Sequence, residues 1–257
     1  MIYILKSDND PIATQDSLLH HDNVHLLSLL AIQFHDFEIN PEEINKTDYL
    51  LFTSKNALKA VINHPCFTAL HAKPAFFIGE ESKRIWLEKG GTHALSPKDL
   101  QDGECVSGEQ FAKLIAPLAT GKQILYIRGK DKATDFSKIL CDSFIQEVIV
   151  YSSVESVTPQ LHNTESQSMP ISPNDTFADE SIFIFGSPKH YRTFCKYYRW
   201  NPSWLAISLG DTTFKSFDED IRKLNARGNF QKALQAAQAL CNTTPLQHSL
   251  SADNTSH

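Results

Sequence analysis

Short apolar runs ending in polar turn residues punctuate this chain, with helical spacing between them. The runs Ile2–Leu5, His25–Leu30, Tyr49–Phe52, Ala75–Ile78 and Ile124–Ile127 are too short for helices and read as buried parallel strands. Glu147–Val150, Ser181–Phe185 and Leu205–Leu209 continue the series. Between them, Lys55–Ile62 sets Leu58, Val61 and Ile62 on one helical face. Gly108–Leu118 does the same with Phe111, Leu114, Ile115 and Leu118. Ser82–Lys89 carries Ile85 and Trp86 and stops at Gly90–Gly91, a C-cap signal. Asp131–Phe144, Lys189–Tyr198 and the Ala-rich Phe230–Cys241 complete the predicted helices. Alternation of strand and helix predicts an α/β fold with parallel sheets.

One pattern occurs twice. YLLFTSKNA at 49–57 is followed 26 residues later by AFFIGEESK at 75–83, and IFIFGSPKH at 182–190 is followed 24 residues later by AISLGDTTF at 206–214. Each copy runs an apolar strand into a serine, Ser54 or Ser187. A second strand then runs into a glycine with a hydroxyl three residues on, Gly79 with Ser82 or Gly210 with Thr213. Two similar α/β units are expected, with the polar loops lining a gap between them. Ala31–Phe37 and Val148–Val154 flank the central part of the chain and are candidates for a two-stranded hinge. Residues 155–180, rich in Ser, Thr, Pro and Asn, read as a loop or linker. The tail from about Thr244 reads as disordered.

Composition narrows the function. The 257 residues suffice for one large domain or two of about 100–150 residues, and the repeat favours two. A formal net charge of −6 argues against nucleic acid or an anionic membrane as partner, though not against a small anion in a locally positive cleft. MIYILKSDND lacks the basic and apolar segments of a secretory signal, and no apolar run approaches the roughly 20 residues of a membrane span. Five widely spaced cysteines without a CxxC pair read as reduced thiols of a cytoplasmic protein. Eleven histidines include no HExxH, and no metal site is expected.

The loops carry the candidate chemistry. In open parallel sheets ligands sit beyond the carboxyl ends of the strands, where helix N-termini offer unpaired N–H groups to anions. Thr53 and Ser54, Glu80–Ser82, Gly186–Pro188 and Asp211–Thr213 stand at such ends. Each hydroxyl there could instead be only an N-cap worth about 1 kcal/mol. Gly79 and Gly210 fit either a tight turn or close approach to a ligand. Arg128-Gly129-Lys130-Asp131-Lys132 is either a solvated basic turn or a carboxylate clamp, with Arg128 suited to bidentate pairing. The chain has no GxxxxGK[ST], no GxGxxG after its first strand and no GxSxG, so neither a nucleotide cofactor nor a serine nucleophile is indicated. These features describe a bilobal α/β binder of an anionic small molecule.

Seven blocks, in order, resemble the uroporphyrinogen-III synthase family. They are YLLFTSKNALKAV (49–61), AFFIGEESKRIWLEKGG (75–91), SGEQFAKLI (107–115), ILYIRGKDKATDFSKIL (124–140), VIVYSSV (148–154), SIFIFGSPKHYRTF (181–194) and LAISLGDTTFKSF (205–217). The resemblance implies two flavodoxin-like doubly wound domains joined by a two-stranded β-ladder. One domain would comprise 1–31 and 153–245, the other 32–152, with 246–257 as a disordered tail. It also implies the reaction: linear hydroxymethylbilane loses water and cyclises to uroporphyrinogen III with inversion of ring D, without cofactor or metal. In this family, loss of the hydroxyl leaves an azafulvene that attacks through a spiro intermediate.

The resemblance turns the loops into expected carboxylate holders. They comprise Thr53, Ser54, Lys55, Gly79 and Ser82, the Arg128–Gly129 loop, Ser187, Pro188 and Lys189, and Gly210, Thr212 and Thr213. Tyr151 matches the family's hinge tyrosine and is the candidate acid, although a phenol of pKa about 10 is a weak one. Its plainer role is a partly buried strand tyrosine. Departures occur at Lys6-Ser7, where the family has Thr-Arg, at Gly186, where a hydroxyl or aromatic is usual, and over 155–180. A monomer is expected. The alternative is a non-catalytic bilobal protein that binds or senses a tetrapyrrole-like anion.

Overall fold

The computed structural model describes residues 1–8, 23–101, 107–162, 168–172 and 175–243. In chain order it begins with β1 (Ile2–Asp8), β2 (Val24–Phe34), α1 (Pro41–Lys46), β3 (Tyr49–Phe52), α2 (Lys55–Ile62), α3 (Phe67–Leu70) and β4 (Ala75–Phe77). It continues with α4 (Glu80–Glu88), β5 (Ala94–Leu95), α5 (Pro97–Leu100), α6 (Gly108–Ala119), β6 (Gln123–Gly129), α7 (Phe136–Ile139) and β7 (Phe144–His162). The last elements are β8 (Ser168–Pro170), β9 (Ile182–Phe185), α8 (Pro188–Tyr197), β10 (Leu205–Ser208), α9 (Asp211–Phe214), β11 (Arg222–Asn225) and α10 (Phe230–Thr243). The fold is mixed α/β with a large, mostly parallel sheet. The predicted tail, 246–257, lies outside the described residues.

The chain divides into two compact units. The described residues of the first lie within Met1–Lys6, Ile12–Leu27 and Gln160–His257, and those of the second within Ser7–Pro11 and Ser28–Pro159. β2 and β7 each run from one unit into the other.

In the first unit the strand order is β11-β10-β9-β1-β2, and β1, β9, β10 and β11 pair in parallel. Every residue of β9 is buried, as a strand covered on both faces requires. Ile2, Ile4, Ile184 and Ile207 pack on Ala233, Leu234 and Ala237 of α10. On another side of the unit Phe177, Phe183, Phe194 and Trp204 form an aromatic cluster with centroid separations of 4.7–6.0 Å.

In the second unit the order is β7-β6-β3-β4-β5, again parallel. α2 forms where the apolar spacing predicts it, buries Ala57, Leu58 and Val61, and is capped by Ser54, whose Oγ accepts from the Asn56 N–H at 3.1 Å. α4 ends as its glycines predict. Gly90 takes φ +91°, and the Gly91 N–H closes back onto the Trp86 carbonyl at 2.9 Å. A Cβ on Gly91 would come within 2.2 Å of the Trp86 indole, which is fully buried against Phe52 and Phe77.

Two expectations need correction. The helix expected over Asp131–Phe144 is only the single turn α7. Phe136 and Leu140 do point into the core, but Arg128 Nη1 binds the Gly129 and Lys130 carbonyls and holds the start of the segment open. Phe144, opposite Gln123, already belongs to β7. The segment 155–180 is likewise not all loop. β7 continues to His162, and Gln160, Leu161 and His162 pair antiparallel with Pro170, Met169 and Ser168 of β8. Backbone pairing sustains this strand without a hydrophobic face, and Val157 is 97% exposed.

Candidate active site

In the second unit β3 and β6 lie side by side, with Leu51 opposite Tyr126 and Phe52 opposite Ile127. Their C-terminal ends open onto a cavity of about 210 Å³. Thr53 and Ser54 line it from β3, Arg128 and Gly129 from β6, and Tyr151 from β7. The structure thus collects five of the sequence-derived candidates in one place.

Tyr151 reaches the cavity because β7 is irregular there. The β6–β7 register runs Ile127↔Val148 and Arg128↔Ile149, then skips to Gly129↔Tyr151. Such a bulge re-aims a side chain. The Tyr151 ring then lies where the Gly129 side chain would be, since a Cβ at 129 would sit 2.4 Å from Cζ. From this position the Tyr151 hydroxyl donates to Ser54 Oγ at 2.8 Å.

Arg128 is 7% exposed and firmly held. Its Nε and Nη2 donate to Glu147 Oε2 at 3.0 and 2.7 Å, and Nη1 takes the two loop carbonyls. Lys132 pairs with the other Glu147 oxygen at 2.6 Å. Burial pushes the Glu147 carboxyl up, but hydrogen bonds and charge from Lys132 and Arg128 outweigh it and hold the group below its usual value. Arg128 therefore braces the loop, with Glu147 occupying its fork.

Lys55 is also engaged, with Glu81. Gly79 precedes α4 in extended backbone and has open space where a Cβ would be, so neither turn nor packing demands a glycine. Ser82 is buried in α4, and neither Gly79 nor Ser82 lines the cavity.

The remaining candidates belong to the first unit, at the ends of the neighbouring strands β9 and β10. Ser187 caps α8, accepting from the His190 N–H at 3.3 Å and pairing with His190 Nδ1 at 2.9 Å. Pro188 opens the helix and Lys189 follows it. Gly210 precedes α9, Thr212 is exposed and Thr213 is 5% exposed. The glycine at 186 has a steric cause: a Cβ there would meet Phe230 Cζ at 2.8 Å. Phe230 also carries Lys6 Nζ 4.7 Å from its ring centroid.

Some residues of the cavity gave no signal in the sequence. Tyr126, 4% exposed, shares a hydrogen bond of 2.9 Å with Thr53. Burial raises its pKa, opposed by the Thr53 hydrogen bond. It sat inside an apolar run and read as core. Thr134 also lines the cavity unannounced and occupies the space beside Gly108, while Asp131, from the candidate basic loop, lines it too.

A sequence model of the family described as uroporphyrinogen-III synthase HemD matches residues 22–226. The chain belongs to the uroporphyrinogen-III synthase family. Membership makes it a cyclising lyase of tetrapyrrole and haem biosynthesis, as its seven blocks implied. Its fold resembles the uroporphyrinogen-III synthetase of Helicobacter pylori, at 22% identity and a TM-score of 0.63, covering 93% of this chain and 100% of the other. It also resembles a mutant uroporphyrinogen III synthase of Thermus thermophilus, at 11% identity and a TM-score of 0.50, covering 94% and 98%. No curated protein sequence matches the chain. Among the described residues no helix is long and apolar enough to cross a membrane.

Proposed function

We propose that this synthase-family chain cyclises hydroxymethylbilane to uroporphyrinogen III with Tyr151 as the proton donor and the strand-end hydroxyls as carboxylate holders. The observation that carries this is the Tyr151–Ser54 hydrogen bond at the edge of the cavity. Ser54 Oγ already accepts from Tyr151 and from the Asn56 N–H, so its remaining capacity is its own O–H. A proton leaving Tyr151 passes through that hydroxyl to the departing substrate hydroxyl, which leaves as water. The electrophilic azafulvenium so formed is then attacked by the terminal pyrrole ring through the spiro intermediate that the family resemblance implies, and the proton released on rearomatisation returns to Tyr151.

The substrate is a flexible polycarboxylate that also closes unaided to the uninverted isomer. Selectivity therefore comes from holding it in the productive shape, an orientational effect. Candidate carboxylate donors are Thr53 at the cavity of the second unit and, considered separately, Ser187, Thr212 and Thr213 at the strand ends of the first. We further propose that the two units are flavodoxin-like domains, 1–31 with 153–245 and 32–152, joined by a ladder of β2 and β7. Those strands are neighbours and both pass from unit to unit, which supports the reading. The protein acts as a cytoplasmic monomer, and a net charge of −6 disfavours a nucleic-acid partner.

The test is incubation with freshly made hydroxymethylbilane and separation of the isomers. Inverted uroporphyrinogen, formed faster than spontaneous closure, is the expected product. Only the uninverted isomer, at the spontaneous rate, would leave a tetrapyrrole-binding role in place of catalysis.

A further inference from the structure

Thr53 and Ser54 are consecutive, yet each meets a different tyrosine. Ser54 accepts from Tyr151 at 2.8 Å, and Thr53 Oγ1 lies 2.9 Å from the Tyr126 hydroxyl. Tyr126 and Tyr151 come from adjacent strands and both line the cavity. Tyr126 is fixed more tightly: it is 4% exposed, packs edge-on against Phe136 at 5.1 Å, and belongs to the core of Leu51, Phe76 and Phe111. A buried phenol needs a partner, and here that partner is the Thr53 hydroxyl.

The direction of that hydrogen bond matters. A phenol is more acidic than an alkyl hydroxyl, so the favoured arrangement has Tyr126 donating to Thr53. Thr53 then holds its own hydrogen for another acceptor, as Ser54 does once Tyr151 and Asn56 have taken its lone pairs. The Thr53 O–H is then left to donate to a substrate carboxylate in the cavity that both residues line. Asp131 lines the same cavity, so an anion held there needs donors that do not have to reorganise.

We propose that Tyr126 is a positioning residue that presets the Thr53 hydroxyl as a donor to one carboxylate arm of the substrate, beside the Ser54 hydroxyl that relays the proton. This rests on the synthase reading, because it takes the bilane as the ligand. Tyr126 does not touch the reacting carbons and acts only through Thr53.

The experiment is a double-mutant cycle of Tyr126→Phe and Thr53→Val, with Thr53→Ser as the conservative control. KM and kcat for hydroxymethylbilane, uroporphyrinogen III affinity by anaerobic calorimetry, and melting temperature are measured for each. Loss of one hydrogen bond to a charged group corresponds to about a tenfold rise in KM. Tyr126→Phe is expected to raise KM by up to that factor with kcat within about twofold, and Thr53→Ser to stay near wild type. The double variant is expected to bind no worse than Thr53→Val alone, because Tyr126 has no route to the substrate except Thr53. Multiplying effects, or an unchanged KM with a lower melting temperature, would overturn the proposal while leaving the synthase reading intact. If the wild type forms only the spontaneous isomer, the catalytic reading fails and product affinity decides. Weaker binding by Tyr126→Phe upholds the positioning role, whereas unchanged affinity, or no binding by the wild type, ends it.

Discussion

A single methyl group at position 129 would displace the Tyr151 ring, because Gly129 lies across the β6–β7 register from it and a Cβ there would sit 2.4 Å from Cζ. The same contact fixes where the phenol points and therefore which hydroxyl it meets. If Tyr151 supplies the proton, Tyr151→Phe should lower kcat by about a hundredfold, the low end of general acid contributions. It should also shift the product towards the uninverted isomer, read by chromatography of the oxidised porphyrins. Wild-type rate and isomer ratio in that variant would remove Tyr151 from the mechanism. Thr53, Ser54, Arg128 and Gly129 were legible as candidates because each stands at or beside the polar end of an apolar run, whereas Tyr151 was reached only through the family resemblance. Tyr126 was not, because inside ILYI a tyrosine is indistinguishable from core packing until the register sets its hydroxyl beside Thr53. Glu147 was hidden similarly, since only strand pairing brings it to Arg128.

Helix starts are where capping and binding compete for the same atoms. Ser187 illustrates this: its Oγ already serves α8, so removing it costs about 1 kcal/mol of capping whatever else it does. Ser187→Ala and Thr213→Ala should each lower the melting temperature slightly. If the hydroxyls also hold substrate, both should weaken uroporphyrinogen III binding severalfold by calorimetry, and unchanged affinity would leave them as caps or packing groups alone. Elements with their own apolar stripe were legible: α2 was expected at the residues where it forms, and β3 likewise. Elements sustained by partners were not. α7 is cut short by the Arg128 braces and the onset of β7, and the far half of β7 is held by β8 across a largely exposed surface. α9 and β11 are each four residues long and show no period long enough to read.

At the scale of the whole molecule, the difficulty is a net charge of −6 acting on a polyanionic substrate. Four cations of the second unit are already engaged by carboxylates. Lys55 is paired with Glu81, Lys83 with Asp99, and Arg128 and Lys132 share Glu147. These pairs cancel at distances well under the Debye length of about 10 Å at 0.1 M salt, so the substrate meets dipoles nearby and net negative charge farther away. Short-range hydrogen bonds are nearly insensitive to salt, whereas the long-range repulsion is screened by it. Raising ionic strength from about 0.02 to about 0.2 M should therefore raise kcat/KM for hydroxymethylbilane, by about two- to threefold, chiefly through KM. Initial rates at fixed pH across a sodium chloride series measure this directly. A fall in kcat/KM over that range would mean that unneutralised cations, rather than hydroxyls and N–H groups, capture the carboxylates. The proposed donor set would then have to be rebuilt around lysines and arginines.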